Sequence, residues 1–379
     1  MADLKVGFVA IDDLESVRSW SGIPYHMLRT LRDVQDVRVD AIGKVGVNLA
    51  KLYLPLKAYY RLRGQGFEWM RERLSLRYFA WRIAREFRER KLDVLYSNSS
   101  ILCAYLDPGI PYVFWTDGCY QGMEGYYSSN ASSRALGVGR RQESLSLKRA
   151  TAACYASEWA ASSAEKIANP ERVHVIPFGV NLDIQHSRDD VERWIAGRRV
   201  ASKNRCTLLF VGVDWIRKGG KVAVETARRM NDAGIETKLR VVGCAPDEPV
   251  PEFVDVIGFV SKHEPAGIAR LMELYSTSDI FILPSRAEAF GVVVGESAAF
   301  GLPALVCATG GLAETVREGK SGYALPVEDG GELFAARALD ILRDYEGFAR
   351  AAFAEYETRL NWRVGVKRLT EVLREAAGR

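Results

Sequence analysis

Two glutamates, Glu288 and Glu296, bracket the stretch SRAEAFGVVVGE at residues 285–296. Glutamate is seldom buried without a partner, yet the residues between them, Phe290-Gly291-Val292-Val293-Val294, read as core. DIFILPS reads as a strand, Arg286 to Gly291 as a loop, and Val292 onward as a helix ending near Gly301-Leu302-Pro303. Glu288 then lies in the loop, and Glu296 one turn into the helix on the face of its start. The orphan N–H groups of that helix, around Gly291–Val293, offer a place for an anion between two carboxylates that cannot occupy it. Carboxylates accept hydrogen bonds readily from sugar hydroxyls. A ligand with hydroxyls on both sides of a phosphate meets that layout, and a nucleotide sugar has it: ribose, diphosphate, hexose. Two solvated glutamates, each gaining a little from the helix dipole, would leave the apolar run between them unexplained.

Other residues with chemical potential also follow predicted strands. In LLFVGVDWIRKGGKVAVE, Arg217 and Lys218 stand beside Gly219-Gly220 just before a helix, a combination of cations and backbone donors that suits a diphosphate. An ordinary solvated loop tolerates the same pair. Asp117 ends the strand PYVFWTD and is either a polar contact for a substrate or a turn residue capping the next segment. WSGIPYHM places Gly22 and Pro24 at the head of a helix, where an anionic group could bind, although many α/β turns look the same. No G-x-G-x-x-G occurs, against a nicotinamide or flavin site. GKS at 319–321 has Glu314 where a P-loop needs its first glycine.

Short β-like runs that alternate with helical segments must position these residues. KVGFVAI, VRVDAIG, DVLYSNS, PYVFWTD, ATAACYAS and RVHVIPF form one series; TLLFVGV, TKLRVVG, VDVIGFV, DIFILPS, PALVCA and GYALPV form a second. Helices are expected at 24–34, 66–90 and 158–168, then at 219–233, 264–277, 292–300, 312–318 and 329–343, with one or two more over 346–376. Strands apolar along their length, alternating with helices, predict two parallel sheets covered on both faces. The divide falls in the polar segment 180–205. Doubly wound sheets bind ligands at the carboxyl ends of their strands, at a topological switch point.

Composition sets the frame. A chain of 379 residues is long for one core, and 48% hydrophobic with 26% charged residues is that of a soluble globular protein. The six cysteines are scattered without a C-x-x-C pair, which argues against zinc or a disulfide framework and for a reducing, cytoplasmic setting. No apolar run approaches a membrane span, and the start MADLKVGFVAIDDLES lacks a basic n-region and reads as a first strand rather than a secretory signal. The net charge of +4 is unevenly spread: residues 51–92 hold twelve Lys/Arg against four Glu, interleaved with Tyr, Trp and Phe. Such a window can lie on an anionic membrane, here the inner face, or be an amphipathic helix with core-facing aromatics and solvated arginines. No nucleic-acid motif accompanies it, so nucleic acid is not expected as a partner.

PSRAEAFGVVVGESAAFGLPALVCATGGLAETVREGKSGYALPV resembles the donor-binding signature of retaining GT-B glycosyltransferases of family 4, whose core is the E-x7-E pair, here Glu288 and Glu296. Looser likeness extends to VGVDWIRKGG, VIPFGVNLD and SGIPYHM. The resemblance implies two Rossmann-like α/β domains facing each other across a cleft: residues 1–195 on the acceptor side and 196–360 for the donor. It also implies a C-terminal helix, 361–379, that returns to the N-terminal domain. It implies that Glu288 contacts the donor hexose and Glu296 the ribose, and that backbone N–H groups along Ala289, Phe290, Gly291, Val292 and Val293 hold phosphate or sugar oxygens. Lys218 matches the family's diphosphate-binding lysine, with Arg217 and Gly22 as further donor contacts. Val213 stands where many members carry an arginine, so either Arg217 supplies that cation or the site holds diphosphate less tightly. Asp117 stands where many carry a histidine; none of His26, His174, His186 and His263 is there.

The implied reaction moves a hexose from UDP- or GDP-hexose to a glycan or lipid-linked acceptor, in polysaccharide or glycolipid biosynthesis, with no cofactor. No D-x-D triplet is present to hold a metal. Same-face attack, with a leaving-group oxygen taking the acceptor's proton, would retain the anomeric configuration; Glu288 as a covalent nucleophile is a variant. A GT-B nucleotide-sugar epimerase and a non-catalytic nucleotide-sugar binder are the alternatives.

Overall fold

A computed structural model describes residues 3–46, 49–127, 130–201 and 204–379. The first unit comprises Met1–Pro177 and Trp362–Arg379. Its strands are β1 (Leu4–Val9), β2 (Val37–Ile42), β3 (Val94–Ser97), β4 (Tyr112–Thr116), β5 (Ala152–Tyr155) and β6 (Val173–Val175). They form one parallel sheet in the order β2-β1-β3-β4-β5-β6. β3 and β5 are buried along their whole length, as the unbroken apolar runs require of strands covered on both faces. The C-terminal helix Trp362–Ala376 packs on the helix Ile23–Arg32 and on β3, β4 and β5. Trp362 meets Trp115 of β4 edge to face at 5.5 Å, and the Trp115 indole donates to the Ile176 carbonyl at 2.8 Å.

The second unit is Phe178–Asn361, with β7 (Arg205–Val211), β8 (Glu236–Val242), β9 (Val254–Gly258), β10 (Ile280–Leu283), β11 (Ala304–Cys307) and β12 (Gly322–Leu325). Its parallel sheet runs β12-β11-β10-β7-β8-β9, so the order reverses between β7 and β10. Phe210, Phe281, Phe300 and Tyr275 fill its core.

The chain passes into the second unit at Pro177/Phe178, earlier than the expected 195, and leaves at Asn361/Trp362. The cause is the helix Arg188–Ala201, which buries Val191 and Ile195 in the second core. Its buried Arg198 donates to the carbonyls of Tyr275 (3.0 Å), Ser276 (3.0 Å) and Phe300 (3.1 Å), compensating the carboxyl end of the helix Pro265–Ser276. That polar segment therefore belongs to the second unit; its charge had disguised a buried arginine.

The basic window differs from one long helix. It contains the 3-10 turn Leu49–Tyr53, the helix Leu54–Leu62, a turn at Trp69–Arg71, and the helix Arg73–Arg90. The last of these buries Leu76, Phe79, Ile83 and Ala84 at helical spacing. Four of its six arginines are matched by acids: Arg82 and Arg90 with Glu86, Arg85 with Glu89, Arg88 with Asp107. Residues 73–90 are thus an ordinary core helix with a solvated ionic face. The helix Leu54–Leu62 is the opposite case, with no buried residue.

Candidate functional site

The switch point of the second sheet brings two loops together. β7 ends at Val211 and leads through Asp214 to Lys218; the Asp214 carboxylate accepts the Arg217 N–H at 3.0 Å, and its carbonyl accepts the Lys218 N–H at 3.0 Å. Gly219 then caps the helix Gly220–Asp232 with φ +77°, and a Cβ there would sit 2.0 Å from the Pro284 carbonyl oxygen at the end of β10. Only glycine allows both the left-handed backbone and this approach. The Arg286 N–H donates to the Arg217 carbonyl at 2.8 Å, tying the loops directly.

This closeness decides how the predicted residues meet. The Lys218 ammonium is bonded to Glu288 Oε2, and both side chains are largely shielded from water. Arg217 reaches the same oxygen at 3.4 Å, the Ala287 carbonyl at 3.0 Å and Asp214 at 3.3 Å. Two cations therefore converge on one carboxylate at the carboxyl ends of β7 and β10. A diphosphate arriving there would share or exchange cations already held in place.

Gly291 begins the short helix Val292–Ala298 at φ +86°, where a Cβ would lie 2.5 Å from a Leu312 methyl. No side chain caps this start. Ala289 and Phe290 just before it are buried, and Phe290 packs on Phe178 at 5.6 Å. Glu296 is fully buried. Both its oxygens are bonded by Lys262 Nζ, at 2.5 and 2.6 Å, and Oε2 also accepts from the Tyr275 hydroxyl at 3.0 Å. Burial and the adjacent carboxylate push the Tyr275 hydroxyl well above its ordinary pKa, so it stays a donor. Sequence reasoning missed Lys262 and Tyr275. The available signal was position: Lys262 follows the carboxyl end of β9, the edge strand beyond β8.

In the first unit, Gly22 caps the helix Ile23–Arg32 with φ +85° after β1. Asp117 directly follows β4 and lines a cavity of about 320 Å³ together with Ser99, Thr116, Tyr120 and Glu143. Burial raises the cysteine thiols, Cys103, Cys119 and Cys307 to about 12, so these three are protonated at neutral pH and poor nucleophiles.

Comparison with known proteins agrees with this architecture. "Glycosyltransferase Family 4" matches residues 25–184 and "Glycosyl transferases group 1" matches residues 205–344, together most of the chain. The D-inositol 3-phosphate glycosyltransferase of Thermomonospora curvata is 31% identical over 224 residues, 54% of this chain and 52% of the relative. That of Acidothermus cellulolyticus is 31% identical over 225 residues, 55% of this chain and 49% of the relative. The chain spans about half the length of the curated relatives it matches. Among solved structures, sucrose-phosphate synthase of Thermosynechococcus elongatus superposes with a TM-score of 0.68 at 15% identity over 98% of both chains. Anabaena HepE with UDP-glucose does so at 0.60 and 15% identity, over 98% of this chain and 100% of that one. These two likenesses concern the fold. With its two parallel six-stranded sheets and both family regions in order, the chain belongs to the group 1, family 4 glycosyltransferases of GT-B fold.

Proposed function

We propose that the protein transfers a hexose, with retention and without a metal, from UDP- or GDP-hexose to a glycan or lipid-linked acceptor in polysaccharide or glycolipid biosynthesis. The observation that carries this reading is the convergence of Lys218 and Arg217 on Glu288 at the switch point. On donor binding the two cations take the diphosphate, and Glu288 is released to accept hexose hydroxyls. Lys262 moves off the buried Glu296 so that this carboxylate meets the ribose, and first-turn N–H groups from Gly291 to Val293 complete the phosphate cradle. The charge developing on the departing diphosphate is met by donors already in position. A diphosphate oxygen takes the acceptor's proton on the same face, and Asp117 contacts the sugar. HepE was solved with UDP-glucose, and the curated relatives are named for glycosyl transfer, in keeping with a nucleotide-sugar donor.

A thermal-shift panel of UDP, GDP, ADP and their hexose conjugates tests the donor, since a ligand of the folded state alone raises its stability. Radiolabelled transfer then tests the reaction. Free nucleotide released without any acceptor would point to an epimerase, and binding without turnover to a sensor.

The acceptor side includes a membrane surface. No helix among the described residues is long and apolar enough to cross a bilayer. The helix Leu54–Leu62 instead exposes Leu54, Tyr59 and Leu62, with Leu52 and Leu56 beside them. Leu54, Ala58 and Leu62 share one helical face, with Lys57 and Arg61 along its flank. Residues 51–63 contain four cations and no acid. Each cation near an anionic surface is worth about 1 kcal/mol at low salt. The protein should sediment with phosphatidylglycerol vesicles but not with phosphatidylcholine, and the L54E/L62E variant should lose about tenfold or more in partition. Equal sedimentation of the variant would refute this surface.

A further inference from the structure

The last helix, Trp362–Ala376, buries Val366, Leu369 and Leu373, while residues 362–379 carry five Lys/Arg against two Glu. Arg363, Lys367 and Arg374 recur at steps of four and seven residues, which bring a helix back to one face. They rise along it by about 6 Å and then about 10 Å. Among the described residues none of the three forms an ion pair, although Glu371 stands one turn beyond Lys367. Arg350 and Arg359, by contrast, are both held by glutamates. Like charges at i and i+4 destabilise a helix, so the Arg363–Lys367 step weakens this one with no paired acid to offset it.

The three cations line a groove of about 610 Å³, whose other side is the carboxyl end of the helix Ile23–Arg32 and the turn after it. That turn lies at the amino ends of the strands, since the Asp36 carbonyl accepts from the N–H of Leu4, the first residue of β1, at 2.9 Å. This side of the groove is thus at the opposite end of the sheet from Asp117. Asp33 on the turn and Glu371 on the last helix belong to the same lining, and among the described residues neither forms an ion pair. Thr370 between them is buried, and its hydroxyl donates to the Val366 carbonyl at 2.8 Å, which leaves its oxygen an acceptor.

Cations and acceptors therefore share a groove along about 16 Å of helix. A lone phosphate reaches one or two of these cations, not three. A chain anionic at every unit meets Asp33 and Glu371 as well, and a neutral glycan leaves the cations unused. An oligosaccharide with carboxylates at intervals and hydroxyls between them satisfies both sets. We infer that the groove holds such an acidic oligosaccharide, with its carboxylates on Arg363, Lys367 and Arg374 and its hydroxyls on Asp33, Glu371 and Thr370. It anchors the growing glycan outside the cavity beside Asp117, which rests on the sugar-transfer reading and makes the polymer an acidic one.

The test is calorimetric titration of the full chain at low salt with hyaluronan hexasaccharide, chitohexaose and tripolyphosphate, which are respectively acidic at alternate sugars, neutral, and anionic throughout. The wild type should bind the hyaluronan about tenfold or more tighter than chitohexaose and about threefold or more tighter than tripolyphosphate. The triple variant Arg363→Gln, Lys367→Gln and Arg374→Gln should lose about tenfold or more for hyaluronan. Its melting temperature should hold or rise, because glutamine suits an exposed helix and the like-charge step is gone. If the triple variant does not fold, Lys367→Gln alone should lose about threefold. Asp33→Asn with Glu371→Gln should tighten tripolyphosphate and not hyaluronan. Absent hyaluronan binding, equal affinity for chitohexaose, tighter tripolyphosphate, or affinity unchanged in the cation variants overturns the inference. Hexose transfer by a wild type that binds no hyaluronan overturns the groove alone, whereas hyaluronan binding without any transfer overturns the reading of the reaction and leaves the groove's ligand class standing.

Discussion

Lys218→Ala is expected to lower hexose transfer by at least about 100-fold while the protein stays folded. Lys218 has little solvent access, and its ammonium is bonded to the Glu288 carboxylate, beside which the diphosphate is proposed to bind. Its loss removes charge stabilisation that grows as the sugar–phosphate bond breaks, so the effect belongs in kcat as well as KM. Arg217 remains 3.4 Å from Glu288, so the carboxylate keeps a cation and the melting temperature should change little. Glu288→Ala is expected to lose transfer to a similar degree. Because the two side chains hold each other, the double variant should fall well short of the product of the single losses. Radiolabelled donor turnover measures all three. Undiminished transfer by either single variant would remove these residues from the site.

The largest stability effect is expected from Lys262→Met. Glu296 is completely buried, and Lys262 is its only ionic partner among the described residues. Removing one member of a buried pair strands the other charge at about 3–5 kcal/mol, and the partial exposure of Lys262 places this case near the lower end, about 3 kcal/mol. In a domain of this size that is a fall of about 6–12 °C in melting temperature. Adding Glu296→Gln should restore most of it, since the neutral amide no longer needs the ammonium and can still accept from Tyr275. If Lys262→Met melts with the wild type, the pairing does not exist in solution. The rescued double variant should still bind nucleotide sugar poorly, because the carboxylate proposed for the ribose is gone.

These two predictions differ in how far each was legible in the sequence. Glu288 and Glu296 were visible because an acid at each edge of an apolar run has few structural excuses. Lys218 was visible because it precedes two glycines at a helix start. The strands were visible as short β-like runs: those covered on both faces, such as β3, β5, β10 and β11, must be apolar along their length, and that pattern survives in one dimension. What lay hidden depends on distances between strands. Lys262 and Tyr275 are 34 and 21 residues from Glu296 and belong to no shared motif. Arg198 read as a linker charge until its carbonyl partners were seen.

The basic aromatic window shows the same limit from the other side. Composition alone left residues 51–92 as either one membrane-facing surface or a helix with core-facing aromatics and solvated arginines. Tertiary packing assigns Leu76, Phe79 and Ile83 to the core and leaves only the helix Leu54–Leu62 uncovered. Burial is a property of the neighbours as much as of the residue, and the neighbours arrive from distant parts of the chain.

By itself, the sequence determined the α/β class, the number of strands and the positions of the candidate donor residues, because hydrophobic period and strand-end chemistry are local. Only the tertiary structure decided that β7 and β10 lie side by side, so that Lys218 meets Glu288, and that Glu296 is sealed beneath Lys262. It alone placed Glu143 against a cavity, with no ion pair among the described residues. Those facts follow from which strand pairs with which, and strand pairing is a long-range choice made by the packing of the whole sheet.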